Sequence, residues 1–496
     1  MPNSSSATRT VRSLWSFTGR HRVLHLTWFA FFLTFVVWFN MAPLMGAIGD
    51  TFGLSKEQKT VLALCNVALT VPARVLIGMA LDRWGPRRVF SSILVYAAFP
   101  TLVFAAAPNF EVLVVSRLAM SIVGAGFVVG IRMVSEWFPS DEIGTAEGVY
   151  GGWGNFGSAA AALLLPSLAG MVGGWRFAVG ATGVAAALYG LYYIRSVEDT
   201  PNGRTYARPR RQGALEVTSR SAVFGLVALN VPLLGVLGLV AWRLQRVDLL
   251  TPTHLTVVAI VLVGLLAFQT KQILRVNAPA LRNEYPVEDQ YPFRSVAVLC
   301  LSYAVTFGSE LAVVSMLPTF FADTFTLSEV VAGAVASAFA FMNLVARPLG
   351  GLASDVLGSR TRTLRALLGA LAGGYVLMAL VGSSWPVAAA MGAAMVCSFF
   401  VQAGEGATYA IVPLVKRRVS GQISGMVGAY GNVGALCFLT LLLFAGPSAF
   451  FLSIGGAAVV AALIATTLPE PSGAEHDEVA EVESATAPIA PEPVPV

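Results

Sequence analysis

The sequence predicts an all-α polytopic membrane protein, built from two related six-helix halves with two extra helices inserted between them. Three observations carry that reading. Of 496 residues, 56% are hydrophobic and only 12% charged, whereas soluble domains carry about a quarter charged residues. Apolar runs of about 20 residues recur along the chain, each enough to cross roughly 30 Å of hydrocarbon as a helix. Two strings of the first half also return at matching places in the second.

Runs such as 24–47, 112–134, 376–400 and 450–468 read as helix because lipid offers no hydrogen bonds, so each segment has to satisfy its own backbone. They also lack the short alternation of barrel strands. In chain order, residues 1–23 form an arm carrying Arg9, Arg12, Arg20 and Arg22. It shows no cleavage-site pattern, and the apolar stretch after it is too long for a signal-peptide core, so it reads as an uncleaved cytoplasmic arm.

Spans at 24–47, 61–81, 89–107, 112–134, 147–171 and 174–194 make the first half, 24–195. A basic linker follows at 196–220 with Arg204, Arg208, Arg210 and Arg211, then an inserted region, 221–274, whose runs 222–242 and 255–273 are each long enough to span. Residues 275–292 form a second cytoplasmic linker. The second half, 293–468, holds spans at 294–321, 329–352, 364–382, 386–411, 421–445 and 449–468. The expected count is fourteen helices, or twelve if the inserted pair lies on the surface. The tail, 469–496, is acidic and rich in Pro and Ala, a composition expected to stay disordered.

Arg83, Arg87 and Arg88, the 196–220 linker, Arg360, Arg362 and Arg365, and Lys416, Arg417 and Arg418 fall in alternate loops. The positive-inside bias therefore places both termini in the cytoplasm and the chain in the inner (plasma) membrane. The net charge of +5 resides largely in these loops, which leaves no nucleic-acid reading. Cys65, Cys300, Cys397 and Cys437 sit in apolar spans without ligand spacing, so neither disulfide nor metal is expected. His21, His25, His254 and His476 lie in tails or at a span edge, and no nucleophile or phosphate cradle is visible. An enzyme, and any cofactor, is not expected.

The internal repeat picks out the candidate site. Arg74 precedes Asp82 by eight positions in the second helix of the first half, as Arg347 precedes Asp355 in the second half. Downstream, Gly151, Gly152, Trp153, Gly154, Asn155 and Gly157 recur as Gly428, Ala429, Tyr430, Gly431, Asn432 and Gly434, in the fifth helix of each half. Repeated halves with a site between them are how many carriers alternate access. Eight residues place each arginine about 12 Å from the basic end, near mid-membrane. Insertion at that depth costs about 2.5–3.5 kcal/mol, so each arginine faces protein or water.

An arginine pairing with a buried acid such as Glu310 or Glu405 is one reading. Two arginines facing one cavity as an anion clamp is the favoured one, and a planar guanidinium fork suits a flat oxyanion. The glycines, including Gly148, Gly152, Gly421 and Gly425, read chiefly as packing contacts. Asn155 and Asn432 are mid-membrane amides that need partners and are expected to line the cavity.

Gly78, Asp82, Arg83 and Gly85, with Arg87 and Arg88, resemble the loop motif between the second and third helices of the major facilitator superfamily. Arg117, followed by Gly124 and Gly126, resembles that superfamily's fourth-helix motif. The duplicated glycine-asparagine strings together with Arg74 and Arg347 resemble the signatures of the nitrate/nitrite porter family. The two inserted segments and the stretch 306–318 are similar to its cyanobacterial branch.

The resemblance implies that Arg74 and Arg347 clamp the anion, that Asn155 and Tyr303 donate to it, and that Phe127 and Phe307 stack on it. Read from periodicity alone, both phenylalanines are core residues. Arg132 and Glu136 depart from the bacterial exchanger pattern, and Glu310 adds an ionisable group beside the site. The expected function is alternating-access uptake of nitrate and nitrite by a monomer, with protons as candidate coupling partner and Glu310 as coupling residue. The alternatives are exchange of nitrate for nitrite without protons, or export of another organic or inorganic anion on the same fold.

Overall fold

The computed structural model describes residues 15–246, 250–442 and 444–472. The first half comprises α1 (Gly19–Phe39), α2 (Lys56–Ala68), α3 (Thr70–Trp84), α4 (Pro86–Ala105), α5 (Phe110–Ser121), α6 (Gly126–Trp137), α7 (Ile143–Asn155), α8 (Gly157–Met171) and α9 (Gly174–Ser196). The inserted pair is α10 (Arg220–Arg246) and α11 (Pro252–Val276). The second half comprises α12 (Phe293–Phe325), α13 (Glu329–Phe341), α14 (Ala346–Val356), α15 (Arg360–Ala379), α16 (Val387–Tyr409), α17 (Ser420–Leu441) and α18 (Pro447–Ile464).

Local chemistry sets where these helices start. Ser55 and Gln58 form a capping box at α2, while Asn109 and Ser359 cap α5 and α15, each satisfying backbone donors that the first turn leaves free. Gly85 turns between α3 and α4 at φ +83°, the left-handed region where a side chain would be strained.

Twelve stretches among the described residues are long and apolar enough to cross a membrane, the inserted pair among them. Two further parts of the bundle fall short of that measure. The expected fifth span is broken at Phe156 into α7 and α8, and it begins at Ile143 rather than at 147. α15 opens with Arg360, Arg362 and Arg365.

The pairings repeat between halves: α1 packs on α7 as α12 packs on α17, and α4 on α9 as α15 on α18. Between the halves, α3 packs on α17 and α14 on α7. These two seams carry the glycine strings. An added Cβ at Gly148 would lie 2.7 Å from the Arg347 carbonyl, and one at Gly425 would lie 2.5 Å from the Arg74 carbonyl, so only glycine lets the backbones meet.

The inserted α10 packs on α2, α12 and α17, and the Tyr430 hydroxyl donates to the Leu229 carbonyl at 2.8 Å. α11 touches α10 and leaves Val257, Ile260, Val261, Val263 and Phe268 exposed, an apolar face suited to lipid.

The structure adds detail at three places. The 196–220 linker is an ordered strap across the basic end: Arg132 donates to the Tyr206 hydroxyl and the Ala207 carbonyl, Tyr206 donates to the Leu81 carbonyl, and Glu216 accepts from Tyr285 and Arg418. The tail has no regular secondary structure at 469–472, but the Glu470 carboxylate is fastened to the start of α15 by Ser359, Arg360 and Thr361. Its later residues, 473–496, and the arm's first fourteen lie outside the described residues. Cys437 is exposed on α17, while Cys65, Cys300 and Cys397 are buried as packing residues.

Candidate functional site

Four helices break in mid-membrane, and the breaks build the site. α2 gives way to α3 at Leu69, α5 to α6 through a 3₁₀ turn at Ile122–Ala125, α7 to α8 at Phe156, and α13 to α14 through Met342–Leu344. Arg74 lies one turn past the first break, Phe127 and Asn155 adjoin the second and third, and Arg347 adjoins the fourth. Interrupted helices are tolerated at this depth only where side chains take up the freed backbone groups. Here the Thr70 hydroxyl donates to the Ser121 carbonyl at 2.6 Å, while Ser398 and Gln402 donate to the Phe339 carbonyl at 2.6 and 3.1 Å.

The two arginines enter from opposite halves and meet over one ring. The guanidinium carbons of Arg74 and Arg347 lie 5.6 and 5.0 Å from the Phe127 centroid, and Arg74 is also 5.1 Å from that of Phe307, within cation–π range. Tyr303 stacks parallel on Phe307 at 5.1 Å and on Phe127 at 6.1 Å, and Tyr409 stands edge-on to Tyr303 and Phe127. No side chain in the set Arg74, Arg347, Asn155, Asn432, Tyr303, Phe127, Phe307 and Glu310 is more than 5% exposed.

Their partners differ. Arg74 donates to the Gly428 carbonyl at 2.6 Å and the Gly124 carbonyl at 3.4 Å. The Asn432 amide, assigned with its oxygen towards Arg74, accepts from Nε at 3.3 Å and Nη1 at 3.2 Å. Arg347 donates to Glu405 Oε2 at 2.5 Å and to the Tyr303 hydroxyl at 3.2 Å. Gly151 leaves room for the Arg347 side chain, and Gly431 for Phe307 and Tyr303.

Asn155 faces Asn343 at 3.5 Å rather than an arginine, and Asn343 in turn donates to Glu310 Oε1 at 2.6 Å. Gln402 also reaches that oxygen, at 3.3 Å. Glu310 is therefore held by two amides, with no arginine among its described hydrogen-bond partners. Among the described residues there is no group of His, Cys, Asp and Glu that could hold a metal ion.

The motif residues close the basic end. Asp82 accepts from the backbone N–H of Gly421 and Gln422 at the start of α17, and Asp355 accepts from Gly144 and Thr145 at the start of α7. Each aspartate thus caps a helix of the other half, where the helix dipole favours an anion. Gly78 sits directly against the Gly421 carbonyl, and Arg83 is exposed beside Trp84. Arg360 ties Asp355 to the Ser140 and Ala410 carbonyls. Arg132 and Glu136 form a fully buried pair at 2.8 Å, which Arg204 and Arg417 join. Arg117 holds Trp38, Asn40 and Asn66 together within the first half.

This geometry accords with what the chain is similar to. The model of the Major Facilitator Superfamily matches residues 27–284 and 299–494. The nitrate/nitrite transporter NrtP of Picosynechococcus sp. is 49% identical, covering 96% of this chain and 98% of its own. The chain belongs to the nitrate/nitrite porter family of the major facilitator superfamily. NrtP of Nostoc punctiforme is 46% identical over 93% of this porter and 95% of that relative. Among solved structures, the human organic anion transporter MFSD10 shares the fold at TM-score 0.64 and 15% identity, over 90% of this porter and all of that chain.

Sequence reasoning about this porter missed the Tyr409 edge, the Gly428 carbonyl and the Asn343–Gln402 bridge. It named Glu405 only as one possible partner. An ionisable residue inside a span is itself a signal, and that signal applied to Glu405 as much as to Glu310.

Proposed function

We propose that this porter takes up nitrate, and nitrite, across the inner membrane by alternating access, the anion being held between Arg74 and Arg347. The observation that carries the reading is the meeting of two buried guanidiniums from opposite halves over the Phe127 ring. Such a pair offers planar donors from two sides to a flat oxyanion, and rocking one half against the other moves the site between compartments. Tyr303, Asn432 and Asn155 supply further donors, and the flat faces of Phe127 and Phe307 line the site.

The basic end is the cytoplasmic one in this proposal, so the closed seams describe a carrier shut towards the cytoplasm. Reporters fused near Arg210 and Arg282 should report from inside. Asp248, expected outside, lies beyond the described residues.

Glu405 favours net uptake over obligatory exchange. With Arg347 already neutralised, the empty site carries one uncompensated guanidinium rather than two, and Glu310 can supply the remaining counter-charge. Protonation of Glu310 as the anion enters then keeps the cavity neutral and couples uptake to protons.

Labelled nitrate and nitrite uptake into proteoliposomes, with and without an imposed pH gradient, tests both parts. Nitrate counterflow with gradient-stimulated net entry is expected, and Glu310→Gln should keep the first and lose most of the second. Absence of counterflow overturns the transport reading, and undiminished gradient-driven entry in Glu310→Gln removes that residue from coupling.

A further inference from the structure

We propose that Glu147 is a second proton-binding site of this porter, loaded while the basic end is closed and emptied when that end opens. The proposal rests on the proton-coupled uptake described above. Glu147 lies on α7, one turn before Gly151, and is 1% exposed. Neither of its carboxyl oxygens has a hydrogen-bond partner.

Every other buried carboxyl among the described residues is held by at least one donor. Asp82 takes two backbone N–H groups, Glu136 takes Arg132 and Arg417, Glu216 takes Tyr285 and Arg418, Glu310 takes Asn343 and Gln402, and Glu405 takes Arg347. An ionised carboxylate with neither oxygen bonded in a dry interior is expensive enough that the group takes a proton instead.

The surrounding charges do not relieve it. Arg347 of α14 is the charged group facing Glu147, and its fork is engaged by Glu405 of α16 and by Tyr303. Asp355 of α14 is committed to the α7 N-terminus and Arg360. On α6, Arg132 and Glu136 neutralise each other. Tyr150, on α7 itself, donates to the Phe127 carbonyl.

The location gives the buried proton a use. α7 belongs to the first half and α14 to the second, and they meet along a seam where Gly144 lies against Gly351 and Gly148 against the Arg347 backbone. Parting the halves at the basic end opens this seam and admits water to its flank, where Glu147 sits. The hydrated carboxyl releases its proton to that side. The carboxylate left behind faces Arg347, which is then free of its anion, and their attraction steadies the empty carrier for the return. On the other side an incoming anion takes Arg347 back and the carboxylate takes up a proton.

The test compares wild type with Glu147→Gln in proteoliposomes holding a trapped pH indicator. Labelled nitrate counterflow should persist in the variant, while the number of protons entering per nitrate falls by one and pH-gradient-driven accumulation falls with it. An unchanged proton count with wild-type accumulation overturns the proposal. If Glu147→Gln does not reach the membrane, Glu147→Asp carries the test, because it keeps the acid on a shorter arm. Retained coupling with a shifted pH profile supports the site, and an unshifted profile overturns it. Absent counterflow in the wild type would overturn the transport reading itself, an outcome separate from both.

Discussion

Arg347 meets Glu405 across 2.5 Å, whereas its repeat counterpart Arg74 meets carbonyl and amide oxygens and, among the described residues, no carboxylate. The repeat is symmetric in sequence position and asymmetric in charge.

That asymmetry separates two sets of variants. Arg74→Lys and Arg347→Lys keep the charge but lose the planar fork, so uptake should fall by about 10- to 100-fold, the scale of one lost hydrogen bond to a charged group. Arg347→Gln should also destabilise the fold by about 3–5 kcal/mol, because it strands the Glu405 charge in a dry interior. Arg74→Gln strands no acid and should insert normally. Adding Glu405→Gln to Arg347→Gln should restore thermal stability in detergent without restoring transport, and normal uptake by either lysine variant would remove the clamp.

Gly151 supplies a second test, since a Cβ there would run into Nε of Arg347. Gly151→Ala should cut nitrate uptake severely at near-normal expression. Gly456→Ala has nothing within 4 Å of the added carbon and should leave uptake within twofold of wild type. Equal effects from the two would show that Gly151 acts through general packing.

Asp82 and Asp355 each clamp the other half's fifth span at the basic end. Asp82→Asn or Asp355→Asn weakens a charge-assisted cap worth about 1 kcal/mol and should shift the population away from the closed basic end. Cysteines placed along the α3–α17 seam should then label faster from the cytoplasmic side. Unchanged labelling would mean that the caps stabilise both conformations equally.

The fold was legible because hydropathy and the internal repeat are properties of the chain alone: Arg74, Asp82 and Gly151 could be matched to Arg347, Asp355 and Gly428 without coordinates. The breaks at Leu69 and Met342–Leu344 are each followed by a proline, Pro72 and Pro348, that leaves the carbonyl four residues back without its helical donor, a mark that hydropathy averages over. The break at Phe156 has no such proline, and what permits all three is tertiary, such as Thr70 taking the Ser121 carbonyl. Hydropathy also misplaced Glu147. A carboxylate lowers the local average, so the span was read from 147 onwards, whereas α7 begins a turn earlier at Ile143 and carries the acid inside. Asn155 was assigned to the site from its repeat position, but its partner Asn343 comes from the other half, a contact no one-dimensional pattern encodes.

The last prediction concerns Glu470, which composition assigned to the tail. Its carboxylate accepts from the Ser359 and Thr361 hydroxyls at 2.8 and 2.7 Å and from the Arg360 and Thr361 backbone N–H at 2.6 and 3.2 Å, at the α15 N-terminus, where the dipole favours an anion. Partial burial raises its pKa, but these bonds outweigh burial and hold it below the ordinary carboxylate value. A depressed value in the folded state means the contribution is complete above the unfolded value of about 4.3 and is lost as pH falls through the lower folded one. Glu470→Gln should therefore lower the melting temperature in detergent at pH 7, by an amount matching a helix cap of about 1 kcal/mol less what solvent screens. The gap should stay constant down to about pH 5 and close below the carboxylate range, where wild type is protonated as well. A gap independent of pH would assign the effect to the neutral hydrogen bonds, and no gap at pH 7 would leave α15 capped by Ser359 alone.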